Sequence, residues 1–140
     1  GLFKAMRWIA YFVGVLVLLS GVIGVSNIML IVVKERTKEI GIRRALGENP
    51  WSIKLQIIME SIFLTIMSGM AGISFGAMVI YLINYFLASN GPIEMFLNPS
   101  VSLAVVVVAL IILVISGLLA GFIPAQSAIK IKPIEALRME

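Results

Sequence analysis

The chain has 140 residues, of which 61% are hydrophobic and 13% are charged, and it carries a net charge of +4 at pH 7. Soluble proteins contain about 25% charged residues, so this composition nearly excludes a water-soluble globular domain. The sequence has no Cys, His or Asp, which excludes a disulfide, a Ser-His-Asp triad, an HExxH zinc site and an aspartyl dyad. It also lacks a GxxxxGK[ST] phosphate loop. We therefore expect no enzymatic activity, bound cofactor or metal site from this chain by itself.

Three uncharged runs are each longer than the roughly 20 residues that cross a bilayer core, namely Trp8–Val33, Ser61–Ile93 and Met95–Ile129. They predict an all-α polytopic membrane protein. Its three transmembrane helices are expected over about residues 5–33, 52–86 and 100–123.

The charged segment between the first two spans has the features of a short helix. Glu39 stands four residues before Arg43 in the orientation that supports a helix, and Gly47 stands where a left-handed C-terminal cap would end it. These signals, with an apolar face of Ile42, Ala45 and Leu46, predict a helix over about residues 35–46 that lies along the membrane surface. The segment is either a basic topology loop or a docking helix for a groove on a cytoplasmic partner.

Asn-Pro pairs mark the starts of the later spans. Asn49-Pro50 offers an N-cap followed by proline at the first helical position, and Asn98-Pro99 repeats the pattern before the third span. We expect Asn90-Gly91-Pro92 to end the second helix and Pro124 to bound the third, which leaves a tail over residues 125–140.

The distribution of basic residues predicts the orientation. Residues 34–54 and the tail hold nine Lys and Arg, whereas the other side holds only Lys4 and Arg7. The positive-inside rule therefore places the first connector and the C-terminus in the cytoplasm. Because the basic residues flank apolar runs, membrane topology explains them better than nucleic-acid binding. Gly1 would then lie outside, so we expect an upstream span.

Small residues recur at helical spacing in each span, where close backbone approach lets membrane helices associate. They allow packing within the three-helix unit or contact with a second subunit. These positions are Gly14, Ser20, Gly21 and Gly24 in the first span, Ser68, Gly72 and Gly76 in the second, and Gly117 and Gly121 in the third.

Two polar residues lie within or near the spans. Asn27 is expected to donate an interhelical hydrogen bond. Glu60 is the one acidic residue inside a predicted span, which makes it a candidate for a role in motion. The alternative is a structural role, paired with Lys54, Asn27 or a backbone group. An intramembrane enzyme built on Ser61 and Lys54 has no supporting context.

The segment Glu35–Gly47, which reads ERTKEIGIRRALG, resembles the signature of the MacB/FtsX-like permeases, the membrane subunits of type VII ABC transporters. Gln56–Glu60, Pro124-Ala125 and Pro133–Glu140 resemble further parts of that family's sequence pattern, although Gln126 stands where many relatives have a basic residue. The resemblance implies the last three spans of a permease. A first span and a large extracytoplasmic domain would precede them.

The resemblance also implies a partner and a mechanism. The family forms dimers of permease subunits in the bacterial cytoplasmic (inner) membrane, coupled to ABC ATPase domains that bind ATP and Mg. Motion of the ATPases is transmitted through the spans for export or efflux, with a periplasmic adaptor and an outer-membrane channel as possible partners beside membrane lipid. Alternatives are an FtsX-like regulator of cell-wall hydrolases and a lipoprotein-extraction permease.

On this resemblance, the segment after the first span is the coupling helix that contacts the ATPase. Glu39, Arg43 and Arg44 are expected to supply polar contacts, and Ile40, Ile42 and Leu46 apolar ones, while Gly41 would permit close approach. The full coupling segment is Glu35, Arg36, Thr37, Glu39, Ile40, Gly41, Ile42, Arg43, Arg44, Ala45, Leu46 and Gly47.

Overall fold

A computed structural model describes residues 1–89, 103–132, 134 and 138, and this part of the chain is helical without a strand. Its elements are α1 (Leu2–Glu35), α2 (Thr37–Ala45), α3 (Pro50–Ser89) and α4 (Leu103–Ile129). By length and composition, α1, α3 and α4 could each span a membrane, which confirms the predicted all-α fold with three long apolar helices. The expected second connector, the Asn98-Pro99 helix start and most of the tail after residue 132 lie outside the described residues.

The ends of α2 and α3 follow the local capping signals. Gly47 adopts a left-handed conformation with φ of 91°, and its N–H donates to the Arg44 carbonyl while the Glu48 N–H donates to the Arg43 carbonyl, both at 3.1 Å. This pair of bonds is a Schellman motif, which satisfies carbonyls at the end of α2. Asn49 Oδ1 accepts a hydrogen bond from the Trp51 N–H at 3.0 Å, one residue after Pro50 begins α3. Both predicted helix ends are therefore confirmed.

The predicted end of the third span at Pro124 is wrong, because α4 continues through this proline to Ile129. A proline inside a helix removes one hydrogen bond and favours a break. Here the turn beyond it carries Ala125 and Ala128, which are both fully buried in one cluster with Met29 and Ile53. Packing of this turn offsets the lost hydrogen bond.

Burial is concentrated at one end of the helices. The apolar core draws on all four helices and consists of Met29, Val33, Ile40, Ile53, Ile57, Ala125 and Ala128. We call this region the α2 end. At the opposite end, no described residue of α1 before Ser26, of α3 after Ser61 or of α4 before Ser116 is buried. Within the chain, α4 packs against both α1 and α3, whereas α1 and α3 contact each other much less.

Candidate functional site

The short helix α2 has an inward face and an outward face. Ile40 is only 5% exposed and belongs to the apolar core, and Gly41 beside it is also buried. On the other side, Ile42 is 40% exposed and Leu46 is 83% exposed. The expected apolar contact surface for a partner is therefore corrected: Ile42 and Leu46 remain available, whereas Ile40 and Gly41 are occupied within the chain.

Arg43 forms polar contacts inside the chain. Its Nε and Nη2 atoms donate to the two carboxylate oxygens of Glu48, each at 2.6 Å, and its Nη1 donates to Gln56 Oε1 at 2.9 Å. The hydrogen bonds to Glu48 raise the pKa of Arg43, so this guanidinium stays charged. Arg43 thus connects α2 to the turn that follows it and to α3.

Arg44 connects α2 to the end of α4. Its Nη1 donates to the carbonyl oxygens of Ile129 at 2.5 Å and Ile131 at 2.9 Å. The last carbonyls of a helix lack partners within the helix and carry its negative dipole end, so a cation is favourable there. Arg43 and Arg44 are therefore both bonded within the chain, and their contact with an ATPase stays a prediction.

Glu60 pairs with Arg36, the single residue between α1 and α2. The Arg36 Nη1 lies 3.1 Å from Glu60 Oε1, and the Gln56 Nε2 donates to the same oxygen at 3.5 Å. The partners expected from the sequence were different. Lys54 instead places its Nζ 5.7 Å and 5.1 Å from the ring centroids of Trp51 and Phe122. Asn27 is exposed, and its side chain has no hydrogen-bond partner among the described residues.

These side chains form one polar system at the α2 end, which we call the arginine network. Gln56 contacts both Arg43 and Glu60, so the bonds run without a gap from Glu48 to Arg36. Thr37 adds two hydrogen bonds from its Oγ1 to the last carbonyls of α1, at Val33 and Lys34. The network consists of Arg36, Arg43, Glu48, Gln56 and Glu60. Arg44 lies on the same short helix but bonds instead to the end of α4.

Two of the predicted small residues lie where α3 and α4 touch. A Cβ atom on Gly117 would stand 2.7 Å from the Ile62 Cα, and one on Gly121 would stand 2.8 Å from the Ser61 Cβ. Ser61, which is fully buried, also donates a hydrogen bond to the Gly117 carbonyl at 2.7 Å. Sequence reasoning missed this bond, although the small residues of the third span indicated that a neighbouring helix could approach there.

The remaining small residues take no part in helix packing within the described chain. No atom from elsewhere lies within 4 Å of where a Cβ would stand on the glycines of α1 or on the two glycines predicted in α3. The serines of the same stripes are exposed. These positions are Gly14, Ser20, Gly21, Gly24, Ser68, Gly72 and Gly76.

Three long apolar helices, two of them packed against α4, with a short two-faced helix at one end, are the architecture of a polytopic helical membrane protein. The profile of the FtsX-like permease C-terminal family matches residues 11–133. The chain belongs to this family.

Curated relatives are similar along nearly the whole chain. The "Probable syringafactin export ATP-binding/permease protein SyfD" of Pseudomonas syringae pv. tomato is 38% identical over 96% of this chain and 19% of the relative. The macrolide export ATP-binding/permease protein MacB of Neisseria gonorrhoeae is 36% identical over 96% of this chain and 20% of its own length. The "Uncharacterized ABC transporter permease YknZ" of Bacillus subtilis is 40% identical over 88% of this chain and 29% of its own length. The chain thus spans less than a third of each relative.

Proposed function

We propose that this chain is part of the membrane subunit of a MacB-like ABC transporter, in which α2 is the coupling helix. The observation that carries the proposal is the division of α2 into a face fastened to the long helices and a face left open beside exposed Leu46. The relatives' printed names, which join export to ATP-binding and permease functions, support the same conclusion.

The partner of α2 would be an ABC ATPase on the cytoplasmic side of the bacterial inner membrane. ATP and Mg would be bound there, and this chain would act without enzymatic activity of its own. Ile42 and Leu46 would enter a groove on the ATPase, as amphipathic helices do. Glu35 and Glu39, both exposed, would add polar contacts around that apolar pair. Both carboxylates line one shallow, solvent-open depression beside Ile42, together with Arg36, Lys38 and Arg43.

The long helices would carry the motion of α2 to an extracytoplasmic domain. With 34 and 40 residues, α1 and α3 are about 50 Å and 60 Å long at 1.5 Å per residue. Both exceed a bilayer core of about 30 Å. A displacement at the α2 end can therefore reach beyond the far surface of the membrane without a break in either helix.

The open small-residue stripes of α1 and α3 would meet a second permease subunit. Close backbone approach at such residues is how membrane helices associate. A periplasmic adaptor and an outer-membrane channel would complete an assembly for export or efflux.

The test uses the full-length protein in its native membrane with its ATPase. A photo-crosslinking residue is placed at Leu46 and, as a matched control on the inward face of the same helix, at Ile40. We expect crosslinks to the ATPase from position 46 and none from position 40. An intact complex that gives no ATPase crosslink from position 46 would contradict the coupling role of α2. Mass identification of co-purified outer-face proteins would separate an exporter from a regulator of cell-wall hydrolases.

A further inference from the structure

We infer that Arg44 and the Arg36–Glu60 pair are positioning residues that fasten α2 to α4 and α3, so that a displacement of α2 moves the long helices as one unit. This inference rests on the proposed function and assigns the arginines to force transmission within the chain rather than to ATPase contact.

The first fastening joins two helices that are remote in sequence. Arg44 belongs to α2, and its acceptors at Ile129 and Ile131 belong to the end of α4 and the residues just after it. A guanidinium has several donors in a rigid plane, so one arginine can hold two carbonyls in a fixed arrangement. Since these acceptors are backbone atoms, the contact holds the α4 terminus itself rather than a flexible side chain.

The second fastening joins the start of α2 to α3. Arg36 occupies the corner between α1 and α2, and its guanidinium binds Glu60 on α3. Arg43, near the other end of α2, binds Gln56, which lies one helical turn before Glu60. Two attachments to neighbouring turns of α3 oppose rotation of α2 about its own axis.

The apolar core alone would not impose the same restraint. From α2, only Ile40 enters the core cluster, so apolar packing restrains this nine-residue helix through a single side chain between its two chain connections. The directional bonds from Arg36, Arg43 and Arg44 surround this point. Together with the apolar contact of Ile40, these bonds oppose both rotation and tilting of α2 relative to α3 and α4.

The experiment separates docking from transmission in the full-length complex with its ATPase. Docking is read from the photo-crosslink at Leu46. Transmission is read from the distance between spin labels at Phe3 and Tyr85, exposed residues at the opposite end of α1 and α3, with and without bound ATP. The variants are Arg44→Gln, Arg44→Lys, Arg36→Glu, Glu60→Arg and the charge-swapped double variant. Lys130→Gln, which removes an exposed cation at the same end of the bundle, is the matched control.

We expect Arg44→Gln to leave the Leu46 crosslink unchanged. The ATP-dependent change in the distance distribution between the two spin labels should fall on the order of 10-fold, which is within the range typical of coupling between two sites. Arg44→Lys should retain part of the response, because its ammonium can still donate to a carbonyl. The single charge reversals should lose the response, and the double variant should recover it. Lys130→Gln should behave as the parent protein.

Three results would overturn the inference. Loss of the Leu46 crosslink in Arg44→Gln would place Arg44 in the docking surface. An unchanged label response in Arg44→Gln would show that the α2–α4 contact transmits nothing. A charge-swapped variant no better than either single variant would remove the role of the Arg36–Glu60 pair. In each of these cases the parent protein still crosslinks to the ATPase and responds to ATP. If the parent protein shows neither the crosslink nor the ATP response, the proposed function itself fails.

Discussion

The two ends of the helix bundle use the same kinds of residues in different ways. At the α2 end, apolar side chains, small residues and arginines are buried or bonded between helices. At the opposite end, equally apolar helices expose nearly all their side chains. Lipid tails are as apolar as leucine, so exposure costs little there, and packing depends instead on close contact and hydrogen bonds. The difference shows that helix packing within the described chain is concentrated at the α2 end, while the apolar surface of the opposite end is left uncovered by the described residues.

Removing core volume should have the largest effect. Ile53 is 1% exposed, whereas Ile80, at the opposite end, is 47% exposed. Ile53→Ala should lower the free energy of unfolding by about 2–5 kcal/mol because it leaves a cavity, and Ile80→Ala should cost much less. Denaturant unfolding of the purified protein in mild detergent measures both. Equal losses would mean that the two ends are packed alike.

Adding a methyl group tests the close approach of α3 and α4. In Gly117→Ala the new Cβ meets backbone at Ile62, so the helices must separate, at a cost of about 1–3 kcal/mol in unfolding free energy. Gly72→Ala, which has open space within the chain, should gain up to about 1 kcal/mol from helix propensity in the monomer, where no second subunit covers this position. The same unfolding measurement applies, and a neutral Gly117→Ala would show that the contact is loose.

The buried hydrogen bond between Ser61 and Gly117 should have a smaller effect. Ser61→Ala removes the donor and should cost about 0.6–1.7 kcal/mol, the range for interhelical hydrogen bonds in membranes. Among the described residues, the Ser74 side chain bonds only to the Met70 carbonyl of its own helix, so Ser74→Ala should change the unfolding free energy by less than about 0.5 kcal/mol. A larger loss in Ser74→Ala than in Ser61→Ala would reverse this expectation.

The Arg36–Glu60 ion pair should contribute least to stability. Both side chains are partly exposed, and such pairs contribute about 0–1 kcal/mol. A double-mutant cycle of Arg36→Gln and Glu60→Gln at low and high salt measures the interaction, which should weaken with salt. A coupling well above that range would indicate a desolvated pair. A small value together with lost transmission would separate the pair's positioning role from any effect on folding.

The sequence predicts what is decided locally. Gly47 and Asn49-Pro50 mark helix ends because their own backbone and side-chain preferences satisfy the terminal groups. The three long helices follow from uninterrupted apolar runs. The choice of which face of α2 turns inward is set by α3 and α4, so Ile40 was assigned to the partner surface although it lies in the core.

The hydrogen-bond partners of the arginines could also not be predicted from local sequence patterns. The acceptors of Arg44 are backbone carbonyls near the other end of the chain, and carbonyls have no sequence signature. Glu60 pairs with Arg36 because α3 packs beside the corner between α1 and α2. The spacing of residues along the sequence does not indicate this proximity. Pro124 failed as a stop signal because packing against α1 and α3 overrides the local preference of proline.

The corner at Arg36 determines how far α2 is rotated about its own axis relative to α1. Only this residue, with φ of −91° and ψ of 9°, separates the last turn of α1 from the first turn of α2. One inserted residue there would advance every side chain of α2 by about 100° around its axis, since a helix has 3.6 residues per turn. Leu46 would then rotate away from its outward position, and Ile40 and Gly41 would no longer face the core. The number of residues at the corner therefore fixes the rotation of α2 about its own axis. Related chains should tolerate a different side chain at this corner far better than an inserted or deleted residue.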